Sequence, residues 1–140
     1  MSDSLEAEAT RRAAAMYAED LASRSLGIEI TGIAPGRADA RMRIAATMVN
    51  GHHIAHGGYI FLLADTAFAF ACNTYGAAVA RSADIVFVES AREADELVAE
   101  ARERTRFGRN GVYDVTVRRV DGAVVAEFRG YSRELRPPAE

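Results

Sequence analysis

The pattern of hydrophobic and polar residues changes its period several times along this 140-residue chain. Helix-forming residues with a weak apolar stripe fill positions 5–26, and Gly27 follows as a helix stop, which predicts an N-terminal helix. Alternating apolar and polar residues then predict two short strands joined by a turn at Pro35-Gly36, the second strand covering positions 37–44.

A second helix is predicted at positions 57–73, after a loop without a period. Four more strands are predicted at positions 83–88, 96–107, 112–120 and 123–135, with a hairpin turn at Asp121-Gly122. Helices do not alternate with strands, so a doubly wound parallel sheet is disfavoured. We predict a single α+β domain, in which an antiparallel sheet wraps around one central apolar helix. Positions 27–136 form its core and positions 1–26 a helical extension.

The central helix is apolar on nearly every side, from Tyr59 to Cys72. A helix without a polar face has to be buried all round. One subunit of this size offers a single sheet, which covers one side of the helix. The other cover is predicted to be a second subunit, so the chain is expected to form a homo-oligomer.

Composition narrows the class of protein. Hydrophobic residues make up 49% of the chain and charged residues 26%. There are seventeen Arg, no Lys and twenty acidic residues, which gives a net charge of −3. An acidic protein is a poor ligand for nucleic acid. A single cysteine excludes an internal disulfide framework. The chain begins without the pattern of a secretory signal, and its longest apolar run is too short to cross a membrane, so a cytoplasmic protein is expected.

Asp65 lies in the middle of the apolar central helix. An ionised carboxylate in an apolar setting has to be paired, protonated or hydrated. No cation lies three or four residues away on the same helix face. The functional interpretation is a general base or a nucleophile in a cleft. The alternative is a buried carboxylate that caps a nearby loop.

The central helix begins with two glycines, Gly57 and Gly58, directly after His56. Uncovered N–H groups at the positive end of a helix dipole suit a developing oxyanion, although two glycines can also simply permit a tight turn. Together with Asp65 on the same helix, they predict an acyl-transfer site. We expect His56 to donate a hydrogen bond beside the acyl carbonyl, and Asn50 to orient a water molecule or position the loop.

Two other candidate chemistries are disfavoured by the sequence. His52, His53 and His56 have no acidic residue or cysteine at the usual ligand spacing, so no metal is predicted. Cys72 lies on the helix face of Asp65, but among apolar residues and without a cation to activate a thiolate. We therefore predict that Cys72 is a small core residue.

Arginines recur at mostly alternate positions toward the end of one predicted strand: Arg102, Arg104, Arg106 and Arg109. They form either a solvated outer face or a rim that binds the phosphates of a nucleotide-containing ligand, since guanidinium matches phosphate in a fork. Arg106 and Arg109, close to the turn, are the preferred phosphate ligands.

The segment from Asn50 to Gly58, followed by Phe61, Asp65 and Asn73, resembles the hotdog-fold acyl-CoA thioesterases. Within that family it is most similar to the PaaI-like branch of phenylacetate degradation. The likeness covers about positions 26–135. Its most specific feature is the whole loop sequence with an Asp nine residues after His56.

This resemblance implies a hotdog fold that pairs into dimers with a continuous sheet, and commonly into tetramers. It also implies an active site at the dimer interface. By the resemblance, Asp65 is the catalytic carboxylate, Gly57 supplies the oxyanion-hole amide with His56 beside it, and Asn50 is the orienting amide. Asp65 would come from one subunit and the loop residues from the other.

The chain is accordingly expected to be a cofactor-free enzyme. It would hydrolyse acyl-CoA thioesters, of the phenylacetyl-CoA or hydroxylated aryl-acetyl-CoA type, to the free acid and CoA. Gly58, Phe61, Leu62 and Phe68 are expected to contact the substrate. Two alternatives use the same fold: a non-hydrolytic acyl-CoA binding or sensing module, and a hydratase or dehydratase that pairs His56 with the carboxylate.

Overall fold

A computed structural model describes residues 2–136 of the chain. Its elements in chain order are α1 (Ser2–Glu19), α2 (Leu21–Ser25), β1 (Glu29–Ala34), β2 (Arg37–Arg43), α3 (Gly57–Cys72), β3 (Ala78–Phe87), β4 (Glu96–Phe107), β5 (Asn110–Arg119) and β6 (Val124–Glu134). The strands form one antiparallel sheet in the order β1-β2-β4-β5-β6-β3. The predicted α+β architecture, with an antiparallel sheet around a central helix, is confirmed.

The central helix α3 packs across the middle of the sheet, against β2, β4 and β5. Burial alternates along these strands because successive side chains of a strand point to opposite faces. The helix-facing positions of β2 and β4 include small residues, such as the fully buried Ala40 and Ala99. Small side chains there permit a close approach of the helix, which buries Leu63 and Ala67 completely.

The ring of Phe68 marks the tightest contact between α3 and the sheet. It is fully buried, with its centroid 5.7 Å from that of Tyr113 and 5.8 Å from that of Phe128. A Cβ atom at Gly130 of β6 would lie 2.7 Å from atoms of this ring. Glycine at position 130 is therefore required by the close approach of Phe68 and not by a left-handed backbone.

The N-terminal helix is interrupted near its end, where a single continuous helix was predicted. Asp20 separates α1 from α2, and its carboxylate accepts a hydrogen bond from the Ser23 N–H at 3.0 Å. An Asp side chain that caps a new helix competes with continuation of the preceding one. The hydroxyl of Ser23 is also 3.0 Å from the Thr66 hydroxyl of α3, with both residues buried. Part of the second cover of α3 therefore comes from the same chain, which the sequence analysis did not predict.

One face of α3 stays uncovered by the sheet and by the N-terminal helices. Gly58 is exposed, and the side chains at Phe61, Leu62, Asp65 and Ala69 are only partly buried. These residues are spaced by three and four positions, so they form one continuous stripe along the helix. The stripe begins at the N-terminus of α3 and contains its carboxylate.

Strand β3 is an edge of the sheet and begins five residues earlier than the predicted strand. Its first residues pair with the end of β6, beginning with Ala78 opposite Glu134. Main-chain pairing extends the strand where the side-chain pattern gives no alternation. Val86 and Phe87 near its end are 63% and 52% exposed, so this long edge presents apolar surface to solvent.

Among the helices of the described residues, none combines the length and hydrophobicity needed to cross a bilayer.

We expect Gly130→Ala to destabilise the fold by about 1–3 kcal/mol, because the added methyl group overpacks the core against the Phe68 ring. Gly76→Ala is the matched control, since a Cβ at Gly76 meets no atom within 4 Å. Urea unfolding of both variants at one protein concentration measures the difference. Equal stability of the two variants would contradict the tight Phe68–Gly130 contact.

Candidate functional site

The loop before α3 is ordered by the side chain of Asn50. Its Oδ1 accepts hydrogen bonds from the N–H groups of His52 at 2.9 Å and Ile54 at 3.4 Å. His53 has a φ of 64°, which is a left-handed conformation within this tight loop. The loop ends where the Ala55 N–H donates to the Ala91 carbonyl at 2.7 Å. Asn50 thus positions the loop through Oδ1, one of the two roles predicted for it.

His56 is the N-cap of α3, and its Nδ1 accepts a hydrogen bond from the Gly58 N–H at 3.0 Å. The Gly58 amide is therefore occupied, although both glycine amides were expected to be uncovered. In the neutral ring the proton lies on Nε2, because Nδ1 is the acceptor. Nε2 is then the atom of His56 that can donate to a ligand. Within residues 2–136 the Gly57 N–H has no hydrogen-bond acceptor, so it is available to an oxyanion.

The ring of Phe87 lies directly against Gly57. A Cβ atom at Gly57 would be 2.9 Å from Cζ of this ring, so glycine here is required by a close contact. Beside the contact is a cavity of about 360 Å³, and Asn50, Gly57, Phe87 and Ser90 are among its lining residues. Phe87 was not predicted as a site residue. From the paired glycines the sequence predicts uncovered amides or a tight turn, and only the fold shows that the Phe87 ring packs against Gly57.

Asp65 is partly buried on the open stripe of α3. Within the described residues its carboxylate has no hydrogen bond and no ion pair. Burial raises the pKa of this carboxyl above its usual range, because the ionised form loses hydration without gaining a partner. A desolvated carboxylate without a partner is more basic than an ordinary aspartate and is suited to proton abstraction or nucleophilic attack.

The Gly57 amide and the Asp65 carboxylate are not brought together within one subunit. Gly57 and Asp65 are eight residues apart on a straight helix, which places them about 12 Å apart along its axis at 1.5 Å per residue. The cavity beside Gly57 does not include Asp65 among its lining residues. One subunit therefore presents the amide and the carboxylate separately.

The four predicted substrate contacts of α3 have different surroundings. Phe61 and Leu62 are partly buried on the stripe of Asp65, and the Phe61 ring packs edge-on against Phe128 at 5.4 Å. Gly58 is exposed at the helix N-terminus. Phe68 is completely buried and packed against the sheet, so it has no free surface with which to contact a ligand.

The arginines of β4 mostly have acidic partners. Arg102 forms an ion pair with Asp39 at 2.9 Å, and Arg104 lies 3.3 Å from the carboxylate of Asp114. These contacts favour the solvated outer face over a phosphate rim for both residues.

Arg106 and Arg109 differ from each other in how their charge is balanced. Arg106 lies over the Tyr75 ring at 3.8 Å and pairs with the Glu134 carboxylate at 2.9 Å. Arg109 donates two hydrogen bonds, at 2.8 and 3.1 Å, to the main-chain carbonyl of Glu134. Arg109 therefore keeps a charge that no carboxylate neutralises in the described part of the chain, whereas the charge of Arg106 is paired.

Cys72 lies in the core, as predicted, and burial raises the pKa of its thiol to about 12. A thiol that remains protonated at neutral pH is not a nucleophile.

Asn73 caps the C-terminus of α3, with its Nδ2 donating to the carbonyls of Ala69 and Ala78. No group of three His, Cys, Asp or Glu side chains among residues 2–136 is arranged to hold a metal ion.

Comparison with known proteins identifies the family. A family model described as the thioesterase superfamily matches residues 52–126, just over half of the chain. The acyl-coenzyme A thioesterase PaaI of Escherichia coli is 42% identical over 129 residues, covering 91% of this chain and 92% of that protein. The chain therefore belongs to the thioesterase superfamily, and the predicted enzyme class is confirmed.

Solved structures agree with this assignment. The structure of the Escherichia coli PaaI protein from the phenylacetic acid degradation operon superimposes with a TM-score of 0.92 at 41% identity, covering 94% of this chain and 96% of that chain. A variant of the phenylacetic acid degradation protein PaaI from Thermus thermophilus gives a TM-score of 0.79 at 34% identity, covering 81% of this chain and 97% of that chain. The predicted hotdog fold and the resemblance to PaaI-like proteins are confirmed.

Gly57→Ala is expected to impair thioester hydrolysis through its collision with Phe87, since alanine keeps the amide N–H. Overpacking of this kind costs about 1–3 kcal/mol. Adding Phe87→Ala removes the obstructing ring, so the double variant is expected to match Phe87→Ala alone. A double-mutant cycle on hydrolysis rate and unfolding midpoint measures this coupling. Strictly additive effects would contradict it.

Proposed function

We propose that this protein hydrolyses acyl-CoA thioesters to the free acid and CoA, with Asp65 and Gly57 as the reacting pair. The observation that carries the proposal is the half-buried, unpaired carboxylate on the same helix that begins with an uncovered amide. The Gly57 N–H stabilises the negative charge on the thioester oxygen, and the dipole of α3 adds to that field. His56, whose Nδ1 accepts from the Gly58 N–H, offers its Nε2–H as a second donor.

The complete site forms between two subunits. Both groups have to act on one carbonyl within hydrogen-bond distance, and about 12 Å of helix separates them in one chain. A second copy that covers the open stripe of α3 places its own Gly57 near this chain's Asp65. The exposed edge of β3, with Val86 and Phe87 near its end, provides a surface on which two sheets can join. The tetramer and the cytoplasmic location expected from the sequence stay predictions.

The carboxylate serves hydrolysis by one of two routes. As a general base it removes a proton from water while the water oxygen attacks the carbonyl carbon. As a nucleophile it attacks that carbon itself, and water then hydrolyses the resulting anhydride. In both routes the carbon–sulfur bond breaks and CoA leaves as a thiolate that takes up a proton. In a single turnover in ¹⁸O-labelled water, label in Asp65 identifies the nucleophilic route with water attacking the aspartyl carbonyl of the anhydride, because the general-base route places label only in the product acid.

The acyl group is proposed to be an aryl-acetyl group, including hydroxylated ones. The support is the similarity to PaaI proteins, together with Phe61 and Leu62, whose partly exposed side chains flank Asp65 and offer an apolar wall. Initial rates with phenylacetyl-, hydroxyphenylacetyl-, hexanoyl- and acetyl-CoA, followed with a thiol-trapping dye, test this choice. Binding without thiol release would instead favour an acyl-CoA binding module, and water addition to an enoyl-CoA would favour a hydratase.

Asp65→Asn is expected to lower thioester hydrolysis by at least about a hundredfold, because the amide is neither base nor nucleophile. The same variant should be more stable than the parent near pH 7. Burial raises the pKa of Asp65 in the folded state, so the protonated carboxyl stabilises the fold, and this contribution is lost as the pH rises through the folded pKa. The stability that Asp65→Asn adds should therefore vanish below about pH 3.9, where the Asp65 carboxyl of the parent protein is also neutral.

Thermal unfolding between pH 3 and pH 8, alongside the activity assay, measures both effects. If Asp65→Asn keeps most of the parent activity, the Asp65 carboxylate has a structural role and not a catalytic one. A stability difference that does not change with pH would contradict the desolvated state of Asp65.

Two inactive variants are expected to restore activity when they are unfolded and refolded together. Asp65→Asn carries an intact loop, and the double variant Asn50→Ala, His56→Ala carries an intact carboxylate. If each site takes its loop and its carboxylate from different subunits, a mixed dimer has one site with both defects and one with none. Random pairing then restores about a quarter of the parent activity. The double variant must first be shown to be inactive and able to pair. No recovery in mixed dimers isolated with two tags would refute the shared site.

A further inference from the structure

The buried hydroxyl groups of Ser23 and Thr66 connect the N-terminal helices to α3 directly beside Asp65. Ser23 is 2% and Thr66 is 7% exposed, and their side-chain oxygen atoms lie 3.0 Å apart. Thr66 follows Asp65 in the chain and is buried, whereas Asp65 lies on the open stripe. The turn of α3 that carries the proposed catalytic carboxylate is therefore held from its buried side by a residue of α2.

The number of protons fixes the direction of the hydrogen bonds in this network. Oγ of Ser23 donates to Oδ2 of Asp20 at 2.7 Å, and a hydroxyl group has a single proton to donate. The Ser23 oxygen is therefore the acceptor of the 3.0 Å hydrogen bond, and Oγ1 of Thr66 is its donor. The network runs from Thr66 through Ser23 to the Asp20 carboxylate, and the charge of that final acceptor strengthens it.

The position of Ser23 is fixed by main-chain hydrogen bonds that do not involve Thr66. The Ser23 N–H donates to Oδ1 of Asp20 at 3.0 Å, and the Ser23 carbonyl accepts from the Ile28 N–H at 3.0 Å. These bonds remain when the Ser23 hydroxyl is removed. The hydroxyl oxygen of Ser23 is thus presented to α3 from a rigid part of the chain.

The hydroxyl of a threonine inside a helix has another possible acceptor, which is the carbonyl four residues earlier. Thr10 of α1 uses this acceptor, since its Oγ1 donates to the Glu6 carbonyl at 3.0 Å. For Thr66 the same acceptor is the Leu62 carbonyl, which in an α-helix already receives the Thr66 N–H. A hydroxyl bond to that carbonyl competes with the main-chain bond and bends the helix. Asp65 lies between Leu62 and Thr66, so the bend would fall on the turn that carries its carboxylate.

We propose that Ser23 is a positioning residue for hydrolysis, because it holds the Thr66 hydroxyl away from the Leu62 carbonyl and keeps the Asp65 turn of α3 straight. The inference rests on the proposed function of Asp65 and gives the N-terminal helices a part in it. The carboxylate has to reach a carbonyl that an amide of another subunit binds, so a bend in α3 displaces it from its target. Misplacement of a reacting group by about 1 Å lowers the rate by about a hundredfold, and a smaller bend lowers it by less.

Ser23→Ala is expected to lower kcat for phenylacetyl-CoA by about tenfold and to leave KM within about twofold of the parent value. Alanine leaves the Thr66 hydroxyl without its acceptor, so this hydroxyl turns to the Leu62 carbonyl. Ser25→Ala is the matched control, since Ser25 is an exposed residue of the same helix whose hydroxyl donates to the Ala22 carbonyl at 2.8 Å. Steady-state kinetics with a thiol-trapping dye measure both parameters.

The double variant Ser23→Ala, Thr66→Val separates a positioning role from a role in stability alone. Valine has the shape of threonine without its hydroxyl, so no side-chain donor is left to bond the Leu62 carbonyl. The double variant and Thr66→Val alone are therefore both expected to keep kcat within about twofold of the parent value. A hydrogen bond that served stability alone predicts no such recovery, because the double variant lacks it as completely as Ser23→Ala does.

An unchanged kcat in Ser23→Ala, or an equal loss in Ser23→Ala and the double variant, would overturn the positioning role. Loss of folded Ser23→Ala protein in place of a lowered kcat, measured by urea unfolding of each variant, would overturn it as well. Failure of the parent enzyme to release thiol from any of the tested acyl-CoA esters would instead refute the proposed function.

Discussion

Burial of the apolar helix α3 is the constraint on which the rest of this molecule depends. The sheet covers one side of the helix, and the N-terminal helices cover a second side through the hydrogen bond between Ser23 and Thr66. The part left open is the stripe that carries Asp65. A carboxylate held on such a surface is only partly hydrated, and its raised pKa is the direct consequence. The same packing that stabilises the fold therefore raises the basicity of Asp65.

The helix also fixes the distance between the two reactive ends of the site. Its N-terminus exposes the Gly57 amide, while His56 occupies the next amide and holds the first turn in place. A rigid helix cannot fold back to bring Gly57 to Asp65. An active site that needs both groups is consequently completed by assembly, and the open stripe and the edge of β3 are the surfaces that assembly would bury. In the proposed site, fold stability, oligomerisation and catalysis are linked through the helix α3.

The chain contains arginine but no lysine, and the environments of its arginines differ along the sheet. On the outer face of the central strands, guanidinium groups pair with acids of neighbouring strands, as Arg129 does with Asp114. Near the start of β3, where the strand register shifts, Arg81 instead donates to the amide oxygen of Asn110 and has no ion-pair partner among the described residues.

The sequence by itself determined the class of fold and the central helix with a carboxylate in its middle. The local sequence correctly predicted the hairpins from alternating residues, and α3 and the core position of Cys72 from a continuous apolar run. It missed the break at Asp20 because a single Asp in a run of helix formers does not show by itself whether its side chain caps a new helix. It could not show that Phe87 touches Gly57, because these residues are far apart in the sequence and meet only through tertiary packing. The same reason applies to the arginines, because only the register of the strands decides which guanidinium groups meet a carboxylate.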